Sequence, residues 1–170
     1  FDRALEEAQA AGYAEADPGL DIDGFDTAHK AGILASLAYG FHVPMSAIHI
    51  EGIRGLAQAD IEDALGLGYR LKLLAVIKNE DDEIEVRVHP TLIPLDHMLA
   101  SVSGVFNAIM VDGDIVGQTL YYGRGAGRHP TASAVISDIA EVSRALAFGG
   151  LNTIPALGKK GKGGKFKDLG

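Results

Sequence analysis

Between Tyr13 and Lys30 the chain reads YAEADPGLDIDGFDTAHK, which sets five carboxylates, Glu15, Asp17, Asp21, Asp23 and Asp26, ahead of one lysine. Carboxylates lining a cleft hold a cationic group such as the ammonium of an amino acid. A lysine beside an aspartate stays protonated and can donate to a developing alkoxide, or, once neutral, take a proton from a hydroxyl. Burial would pull its pKa down while the acids push it up. Several acids and one lysine therefore suit a small zwitterionic substrate with a reacting oxygen. Asp26 and Lys30 are four apart, so on a helix they share a face. The same spacing also describes a plain surface ion pair worth about 0.3–0.5 kcal/mol, and Glu15 and Asp17 also suit the turn at Pro18. Spacing alone leaves both readings open.

A second constellation is YGRGAGRHPTASA, Tyr122 to Ala134. Backbone N–H groups near Gly125, Ala126 and Gly127 can approach a ligand closely, and the helix that follows favours an anion at its start. A strand-to-helix turn explains the same glycines. The segment is neither a Walker loop nor a dinucleotide fingerprint after an opening strand. The six histidines show no metal-ligand spacing, and no cysteine is present, so a protein metal site and a disulfide scaffold are not expected.

Periodicity predicts the elements that must hold these residues. A first helix runs from Asp2 to Ala11 and stops at Gly12. After the acidic loop, Asp23 caps a second helix from Gly24 to Tyr39, with Phe25, Ile33, Leu34 and Leu37 as its apolar positions. Residues 47–53 alternate as a strand, and a helix follows from about Ala57 to Gly66 or Gly68. RLKLLAVIKN and EIEVRVHPTLI read as two strands joined at Asn79 to Asp82, with Glu83, Glu85 and Arg87 marking a wet face. DHMLASV is a short helix. VFNAIMVDGDIVGQTLYYG is a hairpin turning at Asp112-Gly113. A last helix covers Thr131 to Phe148, its stripe formed by Val135, Ile139, Val142 and Leu146. These elements predict an α+β fold, a mixed and largely antiparallel sheet with helices packed mainly on one face.

The whole chain has 170 residues and a formal net charge of -8, which argues against a nucleic-acid surface. No apolar run is long enough to span a membrane, and the cysteine-free composition fits a cytoplasmic setting. Lys159, Lys160, Lys162, Lys165 and Lys167 crowd a glycine-rich end that reads as a flexible tail or linker over 151–170. Phe1 opens in what reads as a helix already under way, so the chain is expected to be a domain of a longer polypeptide.

AAGYAEADPGLDIDGFDTAHK closely resembles the signature segment of homoserine dehydrogenases, G-[Y/F]-x-E-x-D-P-x-x-D-[apolar]-x-G-x-D-x-x-x-K, with every fixed position filled from Gly12 to Lys30. YGRGAGRHPTASAVISDI resembles a second segment of that family. The resemblance runs from Phe1 to about Phe148. It implies an oxidoreductase that interconverts L-aspartate 4-semialdehyde and L-homoserine with NAD or NADP, in threonine, methionine and isoleucine biosynthesis. It implies that residues 1–150 are the catalytic, substrate-binding and dimerisation domain of a homodimer, and that the cofactor is bound mainly by a dinucleotide domain absent from this chain. The fragment alone is then expected to be inactive. By the same resemblance Lys30 exchanges the proton and Asp26 binds the hydroxyl end. Glu15 and Asp21 hold the ammonium, Tyr13 lines the pocket, and Gly125, Ala126 and Gly127 approach the nicotinamide. Asp17 and Asp23 are left with capping roles. The alternative is a non-catalytic dimerisation or ligand-binding module that keeps the fold.

Overall fold

The structure, a computed structural model, describes residues 2–12, 17–81, 83–125, 127–149 and 164–167. The chain divides into two compact units, one of residues 16–92 with 155–170, the other of residues 1–15 with 93–154.

The first unit is built around one helix and one strand. A short helix α2 (Gly19–Ile22) leads through Asp23 and Gly24 into α3 (Phe25–Tyr39). Strand β1 (His49–Ile50) follows, then α4 (Gln58–Gly66), β2 (Tyr69–Glu80) and β3 (Glu83–Pro94). The sheet order is β1-β3-β2, with a last short strand β6 (Lys165–Phe166) also on β3. β1 and β6 both run parallel to β3, His49 opposite Arg87 and Lys165 opposite Glu83. β2 and β3 are joined through a turn in which Asp81 adopts φ +52°, and so tight a connection suits only antiparallel neighbours. Helices α3 and α4 both pack on β2.

The core explains the helix. Ala28, Ala31 and Ala35 are buried in one cluster with Ile84, Val86, Val88, Val43 and Ile48. They recur at three- and four-residue spacing and therefore share a face. Their small side chains let the helix lie close to the sheet. Gly32 lies in the same stretch, and a Cβ on it would sit 3.3 Å from Ile48 Cδ1. Ser36 closes the contact, donating to Gly32 O at 2.6 Å and accepting from Val43 N–H at 3.0 Å. The expected stripe of Phe25, Ile33, Leu34 and Leu37 is not the buried one; all four are exposed. Their bulk cannot fit where the alanines do.

In the second unit, α1 (Asp2–Ala10) ends at Gly12, φ +73°. A single 3-10 turn (Met98–Ser101) starts at His97, whose ring accepts Leu99 N–H. Strands β4 (Phe106–Gly113) and β5 (Gly117–Arg124) pair antiparallel, and α5 spans Arg128–Phe148.

The predicted α+β class is what the chain adopts, with its strands in two sheets. Several local expectations change. The 47–53 strand shrinks to His49–Ile50, because Met45–Ala47 form a 3-10 turn. The hairpin turns at Asp114–Val116 rather than Asp112-Gly113. Gly113 pairs with Gly117, and Gly117 takes the left-handed conformation, φ +73°, that closes a three-residue loop. Glu85 is buried, 5 % exposed, instead of lying on a wet face. It is ion-paired with Arg87, and Lys167 Nζ lies 3.6 Å from its other oxygen. The stripe on α5 is exposed throughout. Within the tail read as flexible, Lys165 and Phe166 are a strand: Lys167 N–H donates to Ile84 O at 3.0 Å, and Phe166 meets Phe41 edge-on at 5.8 Å.

Candidate functional site

From Asp17 onward the acidic segment is folded, not a loop. Asp17 accepts Gly19 N–H at 3.1 Å, and Pro18 O accepts the N–H groups of Asp21 and Ile22 to start α2. Ile22 is buried and anchors that turn. Gly24 then adopts φ +84°, a left-handed conformation that glycine tolerates best. A Cβ there would also sit 3.2 Å from Val88 Cγ1. Gly24, not Asp23, holds the N-cap position of α3, and no side chain caps it. Asp23 is engaged elsewhere: its two oxygens meet Arg54 Nε and Nη2, each at 2.8 Å. The Arg54 hydrogen bonds hold the Asp23 carboxyl below the usual carboxylate range, against the opposing effect of burial. The capping role expected of Asp23 is thus replaced by a bidentate ion pair.

Asp26 lies in the first turn of α3, where the helix dipole favours an anion. Lys30 stands one turn later, its Nζ 2.5 Å from Asp26 Oδ2. The two side chains are 45 % and 70 % exposed, so both remain open to a ligand. Asp21, on α2, is exposed, and its carboxylate makes no hydrogen bond or ion pair among the described residues. The two helices pack against each other. The result is a charge-paired ammonium at the head of one helix and an unpaired acid on the next. Such an arrangement can hold a cation at the acid and exchange a proton at the lysine. Tyr13 and Glu15 lie outside the described residues.

The glycine-rich segment belongs to the other unit. Gly125 N–H donates to Val105 O at 3.3 Å. A Cβ on Gly125 would fall 1.9 Å from Asn107 Nδ2, so the Asn107 side chain would have to swing aside. Gly127, φ +125°, precedes α5, which carries no side-chain cap and no acid in its first turn. The first α5 hydrogen bond comes from Thr131 N–H to Gly127 O, which leaves the N–H groups of Arg128 and His129 without helical partners. Arg124 lies over the Phe106 ring at 5.5 Å, and that ring stacks on Tyr122 at 4.8 Å. Cations, N–H donors left over from the helix ladder and a stacked aromatic pair suit a phosphate-bearing, ring-containing ligand. Ala126 lies outside the described residues.

Arg54, Gly52 and Asn107 escaped the sequence reading. EGIRG carries one visible signal, a lone arginine among small residues on the loop after a strand. Its partner lies thirty-one residues away, beyond any periodicity.

An α+β unit with an acid–ammonium pair at a helix start is suited to proton exchange with a small polar molecule. The chain belongs to the homoserine dehydrogenase family, a family of oxidoreductases, whose profile matches residues 1–140. A homoserine dehydrogenase of Pseudomonas aeruginosa is 52% identical over 157 residues, which is 92% of this chain and 36% of that protein. One from Helicobacter pylori is 56% identical over 144 residues. The crystal structure of a homoserine dehydrogenase from Thiobacillus denitrificans superposes with TM-score 0.84 at 48% identity, covering 92% of this chain and 36% of that one. A hyperthermophilic archaeal homoserine dehydrogenase in complex with NADPH superposes with TM-score 0.65 at 32% identity, covering 86% and 40%. The chain thus spans about a third of the length of the curated relatives it matches.

Proposed function

We propose that residues 1–150 are the substrate-binding, catalytic and dimerisation domain of an enzyme that interconverts L-aspartate 4-semialdehyde and L-homoserine, with 151–170 as its tail or linker. The observation that carries this reading is the Asp26–Lys30 pair at 2.5 Å, accessible at the start of α3, with the exposed Asp21 on the helix packed against it. Asp21 and Glu15 hold the substrate ammonium, and Tyr13 lines the pocket. Asp26 orients the oxygen end. In the reducing direction the Lys30 ammonium gives its proton to the forming alkoxide; in the oxidising direction the neutral amine takes the hydroxyl proton. A nicotinamide cofactor, NADP or NAD, supplies or accepts the hydride. Gly125, Ala126 and Gly127, with the cationic start of α5, are the residues of this chain suited to meet it, while most of its binding falls to a domain outside this chain. The enzyme is a cytoplasmic homodimer serving threonine, methionine and isoleucine synthesis, with no nucleic-acid or membrane partner.

The test is homoserine-dependent reduction of NAD or NADP by the full-length protein, set against its Lys30→Ala variant. Unchanged turnover in a folded variant would leave Lys30 as half of a surface ion pair and favour a non-catalytic module.

A further inference from the structure

Loop 51–54 is fastened on two sides. Glu51 N–H donates to Val88 O at 2.7 Å, which ties it to β3. Ile53 N–H donates to Ile22 O, also at 2.7 Å, which ties it to the end of α2. Between these two bonds Gly52 passes so close to the α2–α3 turn that a Cβ on it would lie 2.3 Å from Ile22 O and 2.5 Å from Asp23 Cα. Arg54 then closes on Asp23 with two parallel hydrogen bonds of 2.8 Å. The residue gripped is the hinge itself. Asp23 ends α2, its N–H bonded to Gly19 O, and Gly24 after it turns the chain into α3.

The four acids from Asp17 to Asp26 thereby divide. Asp17 is spent on Gly19 N–H, Asp26 faces Lys30, and Asp23 is taken by Arg54. Among the described residues the Asp21 carboxylate alone of the four has no partner. A free carboxylate at Asp23 would compete with Asp21 for an incoming ammonium. It would also repel its neighbours and loosen the turn that sets one helix against the other.

We propose that Arg54 is a positioning residue for the substrate site: its two-point grip on Asp23 fixes the angle between α2 and α3 and reserves Asp21 for the ligand. The inference rests on the proposed homoserine-binding role of this site. A guanidinium is required because its planar fork fixes the carboxylate at two points, whereas a lysine offers one mobile charge. Arg54 itself is 60 % exposed and need not touch substrate.

The experiment uses the full-length protein and the variants Arg54→Ala, Arg54→Lys, Asp23→Asn and the double Arg54→Ala/Asp23→Asn. KM and the calorimetric Kd for homoserine should rise about fivefold or more in Arg54→Ala, with kcat within about threefold, because the loss falls on ground-state binding. Arg54→Lys should recover only part. Asp23→Asn should raise both as well, by no more than Arg54→Ala because it leaves no free carboxylate to compete, and the double variant should be no worse than Arg54→Ala, since both changes remove one interaction. Amide exchange should quicken at residues 21–26 in all four. A wild-type KM in Arg54→Ala, or unchanged exchange over 21–26, overturns the proposal, even if melting shows lost stability. Lys30→Ala in parallel reports separately on the catalytic reading. If that variant turns over normally, Kd and exchange still decide for or against Arg54.

Discussion

At the scale of single residues, the division between Lys30 and the acids predicts opposite kinetic signatures. In the full-length protein Lys30→Ala should lower kcat by roughly 10² to 10⁴, the range for losing a general acid or base, while KM for homoserine moves less. Asp21→Ala should do the reverse, raising KM more than it lowers kcat, because it removes binding common to ground and transition states. Equal losses in both parameters for both folded variants would dismiss the assignment. Gly52 and Gly55 make a second contrast. Gly52→Ala drives a Cβ into Ile22 O and should cost about 1–3 kcal/mol of stability. Gly55 has nothing within 4 Å of its Cβ position, and Gly55→Ala should be near neutral in the same thermal melt. Sequence spacing disclosed the Asp26–Lys30 pair because the helix repeat alone determines it. It could not disclose that Asp23 faces Arg54, since that contact exists only once β1 has joined β3.

At the scale of elements, period and turn chemistry placed α1, α3, α4, β2 and β3 well, and the strands of the hairpin though not its turn. The faces were harder to read. Large apolar side chains on α3 look like a core, yet the buried face is the alanine one, because closeness to the sheet, not side-chain size, decided it. Glu85 looked solvent-facing because alternation cannot foresee Arg87 and Lys167 closing over it. β6 was illegible for a similar reason: glycine and lysine carry no strand signal, and Phe166 gains its place only from Phe41. The strand should respond to acid. The Lys167 hydrogen bond, reinforced by the charges of Lys167 and Lys78, holds Glu80 below its ordinary 4.5. Such a carboxylate contributes fully above its unfolded value and loses that contribution as pH falls through the lower folded one. Lys167, raised above 10.5 by Glu80 and then Glu85, contributes fully below 10.5 and loses it only as pH climbs past the raised value. The Phe41–Phe166 ring contact, followed by nuclear Overhauser effects, should hold from about pH 5 to pH 10 and weaken below pH 4.5. A contact as strong at pH 2 as at pH 7 would show that the ion pairs do not hold the strand.

At the scale of the whole molecule, apolar surface is the main anomaly. α5 has no buried residue, and Ile139 and Leu146 are 61 % and 68 % exposed. At the tip of the β4–β5 hairpin Ile115 and Val116 are 94 % and 74 % exposed. Patches of this kind mark surfaces that meet other protein. Sedimentation of the full-length protein at micromolar concentration should therefore give a dimer, and a monomer would refute the pairing. The isolated chain should not oxidise homoserine above a Lys30→Ala control, since positioning of the nicotinamide supplies a large share of the rate. Homoserine-dependent NAD(P)H formation by this fragment alone would contradict that expectation.

Because Ala28, Ala31 and Ala35 set how near α3 lies to the sheet, mutational drift at these positions is bounded by volume rather than by chemistry. Any added methyl lifts the helix and carries Asp26 and Lys30 outward with it. In a saturation scan selected for turnover, three residues with no reactive group should therefore rank among the least replaceable positions of the helix.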